Sequence, residues 1–335
     1  LRSDFEEATA RAEELVAEAT GLRPPTAARV RVTDRSGWVR ANVASIQRLL
    51  GPTLQVLESR RSSPSSLPGW SGRLPRPLAG AGRTVSGAQI GLVLAWLSTR
   101  VLGQYDILLA DELVEDQDIV YYVGPNVVAI ESRYGFSPHP FRLWLALHEV
   151  THRCQFTAVP WLRDHFVSLV DQGLEPLVAD PRRVLDAVRR AAEEVRSGRN
   201  PLERSGMLGL VATPEQLEAL ERIQALMSLL EGHGDVTMDR AGAAAVPGAE
   251  RFSRVLRERR QQARGPAKLL QQVLGLEAKL RQYAEGEDFI HAVERAGGPE
   301  LFDRVWRGPE WLPSLAEIRS PGDWVTRVGA SQTAG

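Results

Sequence analysis

The run from Phe141 to Val150 (Phe141, Arg142, Leu143, Trp144, Leu145, Ala146, Leu147, His148, Glu149, Val150) is apolar for most of its length and then turns polar, with Thr151 and His152 completing it. Leu143, Trp144, Leu147 and Val150 recur at helical spacing, which predicts a buried helix over about 139–156. Residues four apart lie one turn apart on the same helix face, so His148 and His152 point their rings the same way. Buried polar groups are costly unless they are paired. The helix therefore cannot be laid into a core without something to meet the two imidazoles. Either they are core histidines bonded to backbone or carboxylates, or both turn a ring nitrogen toward one metal ion.

The segment His148-Glu149-Val150-Thr151-His152 has the H-E-x-x-H spacing on a helix. In that pattern the two histidines ligate Zn²⁺. Glu149 is adjacent to the first histidine but rotated from it, so its carboxylate reaches a zinc-bound water as general base. A catalytic zinc takes three protein ligands and keeps one position open. The metzincin pattern would put Gly seven and His ten residues after the first His, but those positions hold Gln155 and Ala158, which excludes it. The third ligand must come from elsewhere. Thr213, Pro214 and Gln216 mark a helix start, and Leu220, Ile223, Met227 and Leu230 give that helix an apolar stripe to about residue 232. Glu231 lies on the edge of the stripe and is the expected third ligand, with His233 as the alternative. Asp235, one turn beyond Glu231, is expected to accept the N–H of a ligand histidine, and Asp239 is a candidate for similar support. His233 either stabilises an oxyanion or lines the helix end between Gly232 and Gly234; Tyr122 and Tyr283 are the other possible oxyanion donors. His139, His165 and His291 have no partner at metal spacing, and Cys154 reads as a small buried hydrophobe.

Elsewhere helix signals dominate. Ser3 and Glu6 form an apparent capping box for a helix to about Thr20, a second helix runs from near Trp38 into Leu57, and further helices follow at about 160–173, 181–197, 249–263, 266–284 and 286–296. Residues 61–85 are rich in Ser, Pro and Gly and read as a loop. Short runs at Asp106–Leu109, Ile119–Val123 and Asn126–Ile130 suggest a small sheet, with Gly124-Pro125-Asn126 as a turn and Ile119–Val123 as a possible edge strand for an extended substrate. The fold expected is mainly α with some β. Residues 1–85 form a helical N-terminal region, and 86–335 carry the metal site within one compact unit.

The formal net charge of −1 gives no basic surface for nucleic acid or an anionic membrane. The longest uncharged stretch, Thr84 to Thr99, is 16 residues, short of the ~18–20 that a membrane helix needs. A single cysteine rules out an internal disulfide framework, and residues 1–7 carry no secretory signal; both fit a cytoplasmic protein.

Beyond this motif, Val123-Gly124-Pro125-Asn126, Phe141-Arg142-Leu143-Trp144, Phe156, Leu230-Glu231-Gly232-His233 through Asp239, Leu274-Gly275-Leu276 and Lys279-Leu280-Arg281-Gln282-Tyr283 resemble the zincin-like metallopeptidase family. So do Trp306, Leu312-Pro313 and Pro321-Gly322-Asp323-Trp324. This is a bacterial group of hydrolases, one branch of which is associated with deazaflavin coenzyme biosynthesis. The resemblance implies a mostly helical zincin-like fold with zinc at His148, His152 and Glu231 and Glu149 as the catalytic glutamate. The expected function is zinc-dependent hydrolysis of a peptide or other amide. Two alternatives stand beside it: a hydrolase of a small molecule, and an idle zincin fold used for binding or scaffolding.

Overall fold

The computed structural model describes residues 1–47, 91–107, 118–174, 213–261 and 276–330. The expected loop at 61–85 and the expected helix at 181–197 lie outside these residues. Helix α1 (Arg2–Thr20) buries Phe5, Ala8, Ala12, Leu15 and Val16 along one face and stops at Gly21, whose φ of 72° is the left-handed conformation glycine adopts freely. The expected capping box does not form. Leu1 is the N-cap, so Ser3 already lies inside the first turn. Strand β1 (Arg29–Thr33) follows, then helical residues 35–47 (α2) and 91–98 (α3). The rest of the expected helix from Trp38 to Leu57 lies outside the described residues.

Strands β2 (Gly103–Tyr105) and β3 (Ile119–Val123) complete a three-stranded sheet of order β1-β3-β2. β3 is parallel to β1 and antiparallel to β2. Ile119–Val123 is thus the central strand, buried at every residue, and not an edge. The edge near the motif helix is β2; of the expected strand Asp106–Leu109, Asp106 and Ile107 follow β2 outside the strand, and residues 108–109 lie outside the described residues. Residues 124–134 form helix α4 (Gly124–Tyr134), so the expected strand at Asn126–Ile130 is helical. Pro125 fits the first turn, where no N–H is required. Val127, Ile130 and Glu131 then point inward at 3–4 spacing while Val128 stays 46% exposed. Burial on a helical period outweighs the β preference of the valines.

The motif helix α5 (Pro138–Ala158) runs through the core. It is flanked by α1, α6 (Leu162–Leu174), α7 (Pro214–Ala245) and α8 (Ala249–Gln261), and α9 (Leu276–Gly297) packs against α7. Short helical turns between Pro299 and Ala330 close a second cluster around Phe289, Ile290, Val305 and Trp324. The α7 capping box forms as expected: Thr213 Oγ1 accepts from Gln216 N at 3.2 Å, and Gln216 Oε1 accepts from Thr213 N at 2.8 Å.

α7 does not end at Gly232; it continues for three more turns. The glycines that looked like stop signals are contact points. A Cβ at Gly232 would lie 2.4 Å from the backbone carbon of Gly286 on α9, and one at Gly286 would lie 1.9 Å from Ser228 O on α7. The two helices touch backbone to backbone, and α9 passes unbroken through Gly286 where two helices were expected. Residues 1–47 are tied both to β3 and to the motif helix. Phe5 stacks on Tyr122 with ring centroids 3.9 Å apart. The guanidinium of Arg153, fully buried on α5, pairs with Glu13 of α1 and Asp118 ahead of β3 and donates to Thr26 O at 2.6 Å. No described helix is long and apolar enough to cross a membrane.

A Cβ at Gly173, by contrast, would meet nothing closer than 3.8 Å. Gly286→Ala is expected to cost about 3 kcal/mol or more through overpacking, whereas Gly173→Ala should be neutral or stabilise by up to ~1 kcal/mol through helix propensity. Thermal melts of the two variants check the contrast.

Candidate metal centre

α5 presents His148 and His152 one turn apart, and α7 crosses to bring Glu231 against both. His152 Nε2 is 3.3 Å from His148 Nε2. Glu231 Oε2 is 3.5 Å from His152 Nε2 and 3.8 Å from His148 Nε2. Gly234 lies on the α7 face that meets the rings, where an added Cβ would stand in ordinary contact, 3.5 Å from His152 Cε1. Among the described residues these three form the group of His, Cys, Asp or Glu side chains that could hold a metal ion.

The donor set fits a divalent cation. Two atoms each 2.0–2.1 Å from a tetrahedral zinc stand about 3.3 Å apart, and two neutral imidazoles with one carboxylate is a usual zinc set. The observed edges of 3.3, 3.5 and 3.8 Å are close to that triangle. The electrostatics agree. Burial alone would depress the His152 imidazole, but Glu231 and Glu149 beside it outweigh burial and raise its pKa to about 9. The cluster is built to hold positive charge.

Glu149 is buried beside the donors. Burial, offset by His152 and reinforced by Glu231, raises its carboxyl to about 7, and it accepts a hydrogen bond from the Tyr105 backbone N–H. Gly103 makes room for it, since a Cβ there would lie 2.7 Å from Glu149 Cγ and Oε1. The pairing of β2 with β3 puts Leu102 O and Asp106 N on the β3 side. In an antiparallel ladder alternate residues turn outward, so Gly103 and Tyr105 face away from β3, and Glu149 sits at that outward edge.

The other expected residues take different positions. Tyr122 is fully buried on β3 and its hydroxyl pairs with Thr9 of α1 at 2.8 Å; burial pushes its pKa up. His233 does not line a helix end. It lies within α7, packed between Phe302 and Trp306, and burial lowers its pKa to about 3, so it is neutral. Asp235 is half-buried one turn beyond Glu231, and Asp239 is exposed. The side chain of Tyr283 lies outside the described residues. Cys154 is buried, and desolvation raises its thiol to about 12, which leaves it unreactive.

Two residues of the centre escaped sequence reasoning. Gln155 Oε1 lies 3.0 Å from His152 Nδ1, and Met238 Sδ lies 3.2 Å from His148 Nδ1. Gln155 was noticed only as the residue that excludes metzincins. Its place three after His152, on the same helix face, was the available signal. Met238 gave none.

A family model described as zincin-like metallopeptidase matches residues 1–325. The chain belongs to the zincin-like metallopeptidase family. It is also similar to a solved structure from Chloroflexus aurantiacus, described as "a putative hydrolase with a novel fold". The two are 32% identical with a TM-score of 0.68, and the match covers 98% of this chain and 90% of that one. No curated protein matches it. Family membership, this neighbour and the donor triangle together support a metal-dependent hydrolase.

The zincin-like centre makes stability depend on pH when metal is removed. Glu149, raised from 4.5 to about 7, and His152, raised from 6.5 to about 9, hold protons in the fold that the unfolded chain would release. Stability therefore falls as pH rises through those windows. His233, lowered from 6.5 to about 3, opposes this only below its ordinary value. The melting temperature of chelator-treated protein is expected to fall from about pH 6.5 to about pH 9, and saturating zinc should flatten the fall by replacing the His152 proton. Scanning calorimetry across that range checks it.

Proposed function

We propose that this chain is a zinc-dependent peptidase. His148, His152 and Glu231 would hold the ion, and Glu149 would act as general base. The observation that carries this reading is the place of Glu149: beside the donor triangle and at the outward edge of β2, held there by the Tyr105 N–H. A zinc ion in the triangle supplies Lewis acidity, polarising a substrate carbonyl and making water more acidic.

The chain's own residues account for the rest. An extended peptide added along the outward edge of β2 would lay its backbone next to Gly103, and so next to the Glu149 carboxylate. That carboxylate takes the proton of the attacking water and returns it to the leaving amine. Burial raises its pKa above the ordinary carboxylate value, which favours a group that both accepts and returns a proton. Glu231 closes the donor set and also supplies the negative charge that keeps Glu149 from being too acidic. An edge strand beside the base supports a peptide over a small molecule. The near-zero net charge supports a reading with neither nucleic acid nor membrane as partner, and the lone buried Cys154 fits the cytoplasm.

Elemental mass spectrometry of protein purified without a nickel column should find about one zinc per chain. Glu149→Gln is expected to lower peptide turnover by at least ~10²-fold with zinc retained, while Glu231→Ala should lose the zinc. Retained turnover in the Glu149 variant would sink the reading. Gly103→Ala, which pushes on Glu149 without touching the donors, should also lower kcat while leaving zinc content unchanged.

A further inference from the structure

Behind His152 lies a chain of hydrogen bonds that ends on α7. Gln155 Nε2 is 2.9 Å from Leu230 O and 2.9 Å from His233 Nδ1, and Gln155 Oε1 is 3.0 Å from His152 Nδ1. One atom settles the direction of all three. Leu230 O is a carbonyl and can only accept, so the Gln155 atom facing it is the NH₂ group. The amide oxygen then faces His152, which must donate from Nδ1. The same NH₂ group faces His233 Nδ1, so that nitrogen accepts and the His233 proton sits on Nε2. Gln155 is fully buried and His233 is 5% exposed, so water does not compete for these bonds.

We infer that Gln155 and His233 form a positioning relay that fixes His152 with its Nδ1 protonated and its Nε2 turned to the donor triangle. Gln155 acts on His152 directly, and His233 acts only through Gln155 by locking the orientation of its amide. His233 is two residues from Glu231, and at 100° per residue the two side chains leave α7 in roughly opposite directions. One helix thus supplies both a metal donor and, from its other side, the anchor for a second donor on α5. The relay uses a neutral carboxamide at the place where carboxylate often supports a ligand histidine. It rests on the zinc reading above for its consequence, but not for its geometry.

The test is a double-mutant cycle read by zinc dissociation constants from chelator competition. The proteins are wild type, Gln155→Leu, His233→Phe and the double variant, with thermal melts of the metal-free forms as a check on folding. Gln155→Leu is expected to weaken zinc ~10–100-fold, as removal of a residue supporting a ligand histidine does. His233→Phe should weaken it by a smaller factor, and the double variant should be no weaker than Gln155→Leu alone. If Gln155→Leu fails to fold, Gln155→Met takes its place in the cycle. A second readout needs no metal. Side-chain amide exchange of Gln155 should be slow in the metal-free wild type and at least several-fold faster in His233→Phe. Multiplicative losses in the double variant, an unchanged dissociation constant in Gln155→Leu, or amide exchange indifferent to His233 would each overturn the relay. If wild type binds no zinc, the peptidase reading fails, and the amide exchange still decides the relay.

Discussion

The contact of Glu231 with His148 and His152 is the constraint around which the molecule is organised. Two imidazoles and two carboxylates, counting Glu149, lie together in a largely buried space. Removing such charges from water costs several kcal/mol per ion unless partners offset it. Neither helix can meet that cost alone. α5 without α7 would bury two histidines facing nothing, and α7 without α5 would bury a carboxylate on an apolar stripe. The centre therefore dictates that these helices cross at this level. On α7, Gly232 admits the backbone of α9.

α7 is consequently both a structural axis and a chemical one. It reaches 32 residues, carries Glu231 in its middle, and contributes Leu226, Leu230 and Met238 to the main core and Ala225, Leu229 and Val236 to the second. The sheet has a narrower task. β3 is buried throughout and anchors α1 through the Phe5–Tyr122 stack, while β2 brings Gly103 and the Tyr105 N–H to Glu149. Residues near the start of the chain contribute to this frame. Arg153, one residue after the second histidine, is fully buried and ties α5 to Glu13, Thr26 and Asp118. The registry of the motif helix thus depends on side chains far from the metal donors.

What could be read from the amino-acid order was the part governed by local spacing. His148, Glu149 and His152 were legible because a four-residue interval on an apolar helix has one geometric meaning. Glu231 was legible because a carboxylate on an apolar stripe needs a cation. The helices with clean periodicity or a real capping box, α5 and the start of α7, were placed to within a residue or two. Errors arose where a residue serves a distant neighbour. Gly232 looked like a helix end, because a glycine that ends a helix and one that admits another backbone are identical in a linear sequence. Val127 and Val128 looked like strand because β-branched residues favour sheets, until burial on a helical period overrode that preference.

The sequence by itself determined that two histidines share a helix face with a glutamate beside them, and that a third donor has to come from a later helix. Only the tertiary structure decided which atoms meet. It placed Ile119–Val123 at the centre of the sheet and put β2 at the edge beside Glu149. It turned His233 away from the donors and onto Gln155, and it set Gln155 behind His152. The reason is physical. Helical spacing is a short-range property carried by neighbouring residues, whereas the direction of a hydrogen bond between side chains 78 positions apart is settled only when both helices are packed and water has left the space between them.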